Sequence, residues 1–142
     1  MTLYLTRRYR FSASHRLHSG ALTEEENARI FGKCNSPYGH GHNYALEVTV
    51  AGPVDPATGM VFDLARLDSL VREQVLDTLD HTHLNLDVEA FQRTPPTTEN
   101  LCVEIYRMLA EPWRRFAVGS SARLKKVRLE ETSSNYFECE EP

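Results

Sequence analysis

The reading of this chain turns on one stretch, Cys34-Asn-Ser-Pro-Tyr-Gly-His40-Gly-His42-Asn-Tyr-Ala45-Leu-Glu-Val-Thr-Val50. Leu46, Val48 and Val50 alternate with Ala45, Glu47 and Thr49, the pattern of a half-buried strand. Side chains two apart on a strand share a face, so His40 and His42 stand on the face of Leu46. An earlier run, Phe11-Ser-Ala-Ser-His15-Arg-Leu17, follows the same rule. Tyr9, Phe11, Ala13, His15 and Leu17 fall on one parity, and Arg8, Arg10, Ser12, Ser14 and Arg16 on the other. A lone histidine on an apolar face is more often a hydrogen-bonded core residue than a ligand. Two at i, i+2, joined by a third of matching parity, favour metal. The pattern therefore predicts a zinc site of His15, His40 and His42 with a fourth coordination position open, a catalytic rather than a structural arrangement. Gly39 and Gly41 add weight, because glycine lets other groups approach a strand closely.

Outward from this block, periodicity sets the remaining elements. A first strand is predicted over about residues 3–17 and a second over about 41–51, turning at Gly52-Pro53. Thr23-Glu-Glu-Glu-Asn-Ala reads as a short capped helix, and Asp55-Pro-Ala-Thr-Gly59 as a turn leading to a possible strand at Met60-Val-Phe62. Apolar residues at 64, 67, 70, 71, 75 and 79 predict an amphipathic helix to Leu79. After the stiff connector Thr94-Pro-Pro-Thr-Thr98, a second helix buries Leu101, Ile105, Met108 and Leu109, with Pro112 expected to end or kink it. Two strands, about 124–131 and 135–139, close the chain. This order argues for an α+β layer: a four-stranded antiparallel sheet with two helices on one face. The long strand edges favour edge-to-edge association of copies into a closed ring.

The chain of 142 residues is expected to form one domain, 1–142. Its 41% hydrophobic and 25% charged residues are those of an ordinary soluble protein. No apolar run is long enough for a membrane span, and no segment resembles a signal peptide. A net charge of −4 gives no reason to expect nucleic acid or a membrane as partner. Three cysteines at irregular spacing, without a CxxC, read as a reduced, cytoplasmic protein.

Several other residues carry chemistry. Cys34 sits among turn formers six residues before His40; a thiol beside a cation has its thiolate favoured, making a base or nucleophile. A fourth zinc ligand or an inert thiol are the other readings. Cys102 and Cys139 read as packing residues, and His18 as a solvated loop residue. Asp80-His81 ends the first long helix, where His81 is either a helix-dipole partner or, coupled to Asp80, an oriented acid–base pair. His83 has no assigned role. Glu131 shares the parity of Val127 and Leu129, and a carboxylate on an apolar face calls for a designated partner. Its two acceptors match the adjacent N–H donors of a guanidine-like heterocycle. Glu99, in a first helical turn, carries a weaker signal.

Taken together, Phe11-Ser-Ala-Ser-His15, Gly32-Lys-Cys34 through His40-Gly-His42-Asn-Tyr44, Gly59-Met-Val, Leu79-Asp-His81, Pro96-Thr-Thr-Glu-Asn100 and Glu131-Thr132 resemble the 6-pyruvoyl-tetrahydropterin synthase family. The likeness covers nearly the whole chain in order. It departs at Ser36-Pro-Tyr38, Thr82-His83 and Glu130. The resemblance implies a tunnelling fold, with trimers forming a β-barrel and two trimers stacking as a homohexamer. It implies zinc on His15, His40 and His42, a catalytic set of Cys34, Asp80 and His81, and pterin-binding positions at Thr97, Thr98, Glu99 and Glu131. The implied reaction is that of a carbon–oxygen lyase acting on a phosphate, which eliminates triphosphate from 7,8-dihydroneopterin triphosphate. Arg10, Arg16, Lys33, Lys125 and Lys126 are candidates to meet the triphosphate. The related 6-carboxy-tetrahydropterin synthases of deazapurine (queuosine) biosynthesis typically place three residues between the cysteine and His-Gly-His, whereas Asn35 to Gly39 is five. A folate-pathway type usually carries Glu where Cys34 stands. A different class remains open: a zinc module with Cys34 as structural ligand, or a catalytically silent pterin-binding homologue.

Overall fold

A computed structural model describes residues 1–142. The elements run β1 (Leu3–His15), α1 (Glu24–Phe31), β2 (His40–Gly52), α2 (Leu64–Val71), α3 (Asp77–Leu79), β3 (Thr82–His83), α4 (Leu84–Asp87), α5 (Thr98–Phe116), β4 (Arg123–Thr132) and β5 (Asn135–Glu140). A π-helical turn, Arg72–Leu76, joins α2 to α3, so the predicted helix to Leu79 runs through with one widened turn. The architecture is α+β. Four strands pair antiparallel as expected, but the sheet has five, in the order β3-β1-β2-β4-β5. The extra strand β3 lies parallel to β1 and pairs only Ala13 and Ser14. Two residues are too few to leave an alternation in the sequence.

β1 and β2 pair along their whole length, with Phe11 opposite Tyr44, Ala13 opposite His42 and His15 opposite His40. The Phe11 and Tyr44 rings stack at 4.9 Å between centroids. The face carrying Phe11, Ala13, Tyr44, Leu46, Val48, Val50, Val127 and Leu129 is buried beneath the apolar stripes of α2 and α5. Side chains of the same strand parity thus meet one core, and the imidazoles of His15, His40 and His42 continue that face beyond its apolar part. α1 begins with a reciprocal cap between Thr23 and Glu26, and α2 is capped by the Asp63 carboxylate.

Several sequence expectations are corrected. β1 ends at His15 rather than Leu17, because Arg16 N–H donates to Asn85 and Leu17 N–H to the Cys34 carbonyl instead of a ladder. Met60-Val-Phe62 forms no strand; Asp55 N–H bonds the Met60 carbonyl in a closed turn, and Phe62 packs on Trp113 at 5.2 Å. Pro112 does not end α5, which continues to Phe116. Trp113 is buried and donates to the Ala122 carbonyl, and Phe116 meets the Arg66 guanidinium, so packing holds the turn past the proline. His18 is half-buried and hydrogen-bonded to Asn35 rather than solvated. No helix is long and apolar enough to cross a membrane.

Leu129 is fully buried, opposite Leu46 on β2. Leu129→Ala should destabilise the protein by about 2–5 kcal/mol, through lost burial and the cavity left behind. Denaturant unfolding reads this directly; a loss below about 1 kcal/mol would contradict the packing described.

Candidate active site

His15, His40 and His42 come together at the end of the β1–β2 ladder, with one ligand atom from each lying within 4.8 Å of the others. Their rings stand edge to face at centroid distances of 4.6, 5.0 and 4.8 Å. His15 is 1% exposed, and its Nδ1 lies 2.7 Å from the Pro96 carbonyl. A carbonyl only accepts, so Nδ1 carries the proton and Nε2 turns its lone pair into the cluster. That Nε2 is 3.1 Å from His40 Nε2. Tetrahedral zinc with Zn–N bonds of about 2.0–2.1 Å separates ligand nitrogens by about 3.3–3.4 Å. His42 Nε2 is buried without a hydrogen-bond partner. An orphaned ring nitrogen, an oriented lone pair and this spacing fit a zinc ion. Burial holds His15 down to about 4, opposed by the Pro96 hydrogen bond and reinforced by its histidine neighbours; burial also lowers His40. Both rings are therefore neutral at neutral pH, the form that binds metal.

Gly39 makes the close approach possible. Its φ is +74°, and a Cβ there would lie 2.7 Å from the His15 carbonyl oxygen. Cys34 sits on a 3₁₀ turn, Gly32–Asn35, tied to β1 by the Leu17–Cys34 backbone bond. It is not one of the clustered ligand groups, which favours the reading of a non-ligand thiol.

Glu131 lies where the β4–β5 register shifts between Glu130 and Thr132, a bulge that re-aims its side chain. One carboxylate oxygen is 3.6 Å from His42 Nε2, and the other accepts the Thr98 hydroxyl. Thr98 is 2% exposed, so this bond fixes the carboxylate from beneath. Burial and then the charge of Glu131 push the Tyr44 phenol up, and its buried hydroxyl has no hydrogen-bond partner. Of the expected pterin-binding positions, Thr98 and Glu131 are joined here. Thr97 caps α5 by accepting from Asn100 N–H, and Glu99 is exposed.

The Asp80–His81 pair forms as expected, with His81 Nδ1 3.1 Å from Asp80 Oδ2. Ser12 N–H donates to Asp80, and His81 N–H donates to the Ser12 carbonyl. The pair is thus moored to the outer edge of β1. His81 stands at φ +59° with its side chain 84% exposed. No hydrogen bond, ion pair or ring contact links it to the three histidines. Sequence reasoning missed Tyr44, although it shares the i, i+2, i+4 parity of His40 and His42. It also missed the Pro96 carbonyl, a backbone acceptor that no residue type announces.

Residues 4–142 match the family described as 6-pyruvoyl tetrahydropterin synthase. The chain belongs to this family. A 6-pyruvoyl tetrahydrobiopterin synthase of Homo sapiens is 48% identical over 131 residues, covering 92% of this chain and 86% of that protein. The Drosophila melanogaster protein of the same name is 44% identical over 139 residues, covering 98% and 80%. The solved structure of Caenorhabditis elegans 6-pyruvoyl tetrahydropterin synthase superposes with a TM-score of 0.91 at 42% identity, covering 100% of this chain and 97% of that one. Membership in a family of synthases makes this chain an enzyme of pterin metabolism.

His40→Ala and His42→Ala should each abolish the binding of about one zinc per chain. Full metal occupancy in both variants, by elemental analysis, would contradict the ligand set. Gly39→Ala should keep the fold but weaken zinc affinity about 10–100-fold, by displacing His40 from its neighbours.

Proposed function

We propose that this chain is a zinc-dependent, carbon–oxygen lyase that converts 7,8-dihydroneopterin triphosphate to 6-pyruvoyl-tetrahydropterin and triphosphate. The observation that carries this reading is a tri-imidazole cluster beside a carboxylate, Glu131, held by Thr98 with one oxygen facing His42. A structural zinc module has no use for that carboxylate. The five residues between Cys34 and His40 favour the pyruvoyl over the carboxy type of product.

Glu131 accepts two parallel N–H donors from the pterin ring and its exocyclic amine, while Thr98 keeps the carboxylate from rotating. Zinc, bound by His15, His40 and His42, supplies Lewis acidity toward the substrate side-chain hydroxyls. Cys34, as thiolate, takes the carbon-bound proton, and triphosphate leaves. The enol left by elimination tautomerises to one ketone. The remaining side-chain carbinol is oxidised to the second as the C6=N5 imine of the dihydropterin ring takes up its two electrons and two protons to become the tetrahydropterin, so no external redox cofactor enters. Asp80 orients His81 for these later proton transfers.

His81 is 84% exposed at the β1 side of its own chain and makes no hydrogen bond or ion pair to its own histidine cluster. The edge of β1 outside its two-residue pairing with β3, and the edge of β5, suit head-to-tail association of copies into a ring, the barrel and homohexamer implied by the family likeness. In such an assembly the Asp80–His81 pair of one chain completes the site of the next. The protein works as a cytoplasmic homo-oligomer of the 1–142 domain on a small-molecule pterin, with no nucleic acid or membrane partner.

The direct test is turnover of 7,8-dihydroneopterin triphosphate with products identified by mass spectrometry; no triphosphate release would overturn the reading. Cys34→Ala should keep zinc and assembly while turnover falls by orders of magnitude. Co-assembled Cys34→Ala and His81→Ala chains should recover activity that neither has alone, which a site wholly within one chain forbids. Glu131→Gln sets a donor against a donor and should cost about 2–4 kcal/mol of biopterin affinity by calorimetry, with zinc retained.

A further inference from the structure

A cavity of about 590 Å³ is bounded by Arg16, His18, His83, Asn85, Arg93 and Pro37. No aspartate or glutamate lines it. In a chain of net charge −4, many basic side chains elsewhere are neutralised in pairs. Arg7 meets Asp68, Arg8 and Arg128 meet Glu47, and Lys125 and Lys126 meet Glu140 and Glu138. Neither Arg16 nor Arg93 has a carboxylate partner, so the cavity keeps both charges.

The lining is also positioned in advance. Asn85 clamps the Arg16 backbone from both sides, accepting from its N–H and donating to its carbonyl. Arg16 Nε donates to the Asn35 carbonyl, leaving the outer guanidinium N–H groups free. The Asn35 amide nitrogen donates to the Leu17 carbonyl and to His18 Nδ1. An amide nitrogen only donates, so His18 Nδ1 accepts and its Nε2 carries a proton as a fixed neutral donor. Arg16 directly follows His15, Pro37 belongs to the Cys34–His40 loop, and the His83 ring packs on Gly39. The cavity is therefore built on the segments that flank the metal cluster, although none of the three clustered histidines lines it.

We propose that this cavity is the subsite for the oligophosphate chain, with Arg16 and Arg93 as its charged contacts and His18 as a neutral donor. The proposal rests on the reading of the substrate as a pterin triphosphate. It also sorts the basic residues singled out in the sequence. Lys125 and Lys126 are ion-paired on the sheet, Lys33 does not line the cavity, and Arg10 borders a different cleft beside Asp80. Arg16 alone of those five reaches this one, joined by Arg93, which no motif marks.

The test is calorimetric titration of the zinc-loaded protein with inorganic triphosphate and, separately, with biopterin, zinc content being measured before and after. Arg16→Gln and Arg93→Gln should each weaken triphosphate binding about tenfold or more and raise KM, with Arg93→Lys intermediate. Biopterin affinity should be unchanged in Arg93→Gln, and Arg72→Gln, on a remote face, should match the unaltered protein in both titrations. Triphosphate binding and KM indifferent to both arginines would overturn the subsite while leaving the pterin reaction intact. Arginine-dependent triphosphate binding by a protein that takes no pterin would leave the subsite standing and overturn the pterin reading.

Discussion

The antiparallel pairing of β1 with β2 sets His15 opposite His40 and Ala13 opposite His42, and the site depends on that register. A slip of one residue would move the histidines of one strand to the opposite face of the sheet. The register is held by apolar residues of the same parity, by the Phe11–Tyr44 stack, and at the far end by a hydrogen bond between Thr6 and Thr49. The same alternation that buries Leu46 and Val48 therefore aims His40 and His42. Core packing and metal geometry are one constraint.

Everything else at the site is brought to that ladder from a distance in sequence. The Pro96 carbonyl, 81 residues from His15, fixes its tautomer. Thr98, at the start of α5, fixes Glu131 on a bulge of β4. The Thr94–Thr98 connector thus orients His15 and the Glu131 carboxylate together through a few residues. Catalytic precision of this kind needs supporting groups that are themselves locked, and here they are backbone and buried hydroxyl.

The chemistry divides between the two edges of the β1–β2 unit. The core face and its end hold the imidazoles and Glu131. The outer edge of β1 holds Asp80 and His81, moored through Ser12 and turned to solvent. No hydrogen bond or ion pair joins this pair to the histidine cluster of its own chain.

Parity, read from the sequence, determined the face shared by His15, His40 and His42 and the long strands, and the 3.6-residue period determined the long helices. These follow from local periodicities that burial enforces residue by residue. The final aim of Glu131 was left to the bulge in β4. Tertiary structure alone decided the rest. The two-residue strand β3 is too short for any period, and α5 passes Pro112 because Trp113 and Phe116 pack against distant residues. Pro96 enters the site, and Arg93 comes to line one cavity with Arg16, through the approach of segments tens of residues apart, where no spacing rule applies. His81 carries the motif residue type and even its carboxylate partner, yet which cluster it serves depends on the direction of its exposed side chain. That direction is set by the backbone at φ +59° and the Ser12 hydrogen bonds, a three-dimensional fact that sequence adjacency to Asp80 does not contain.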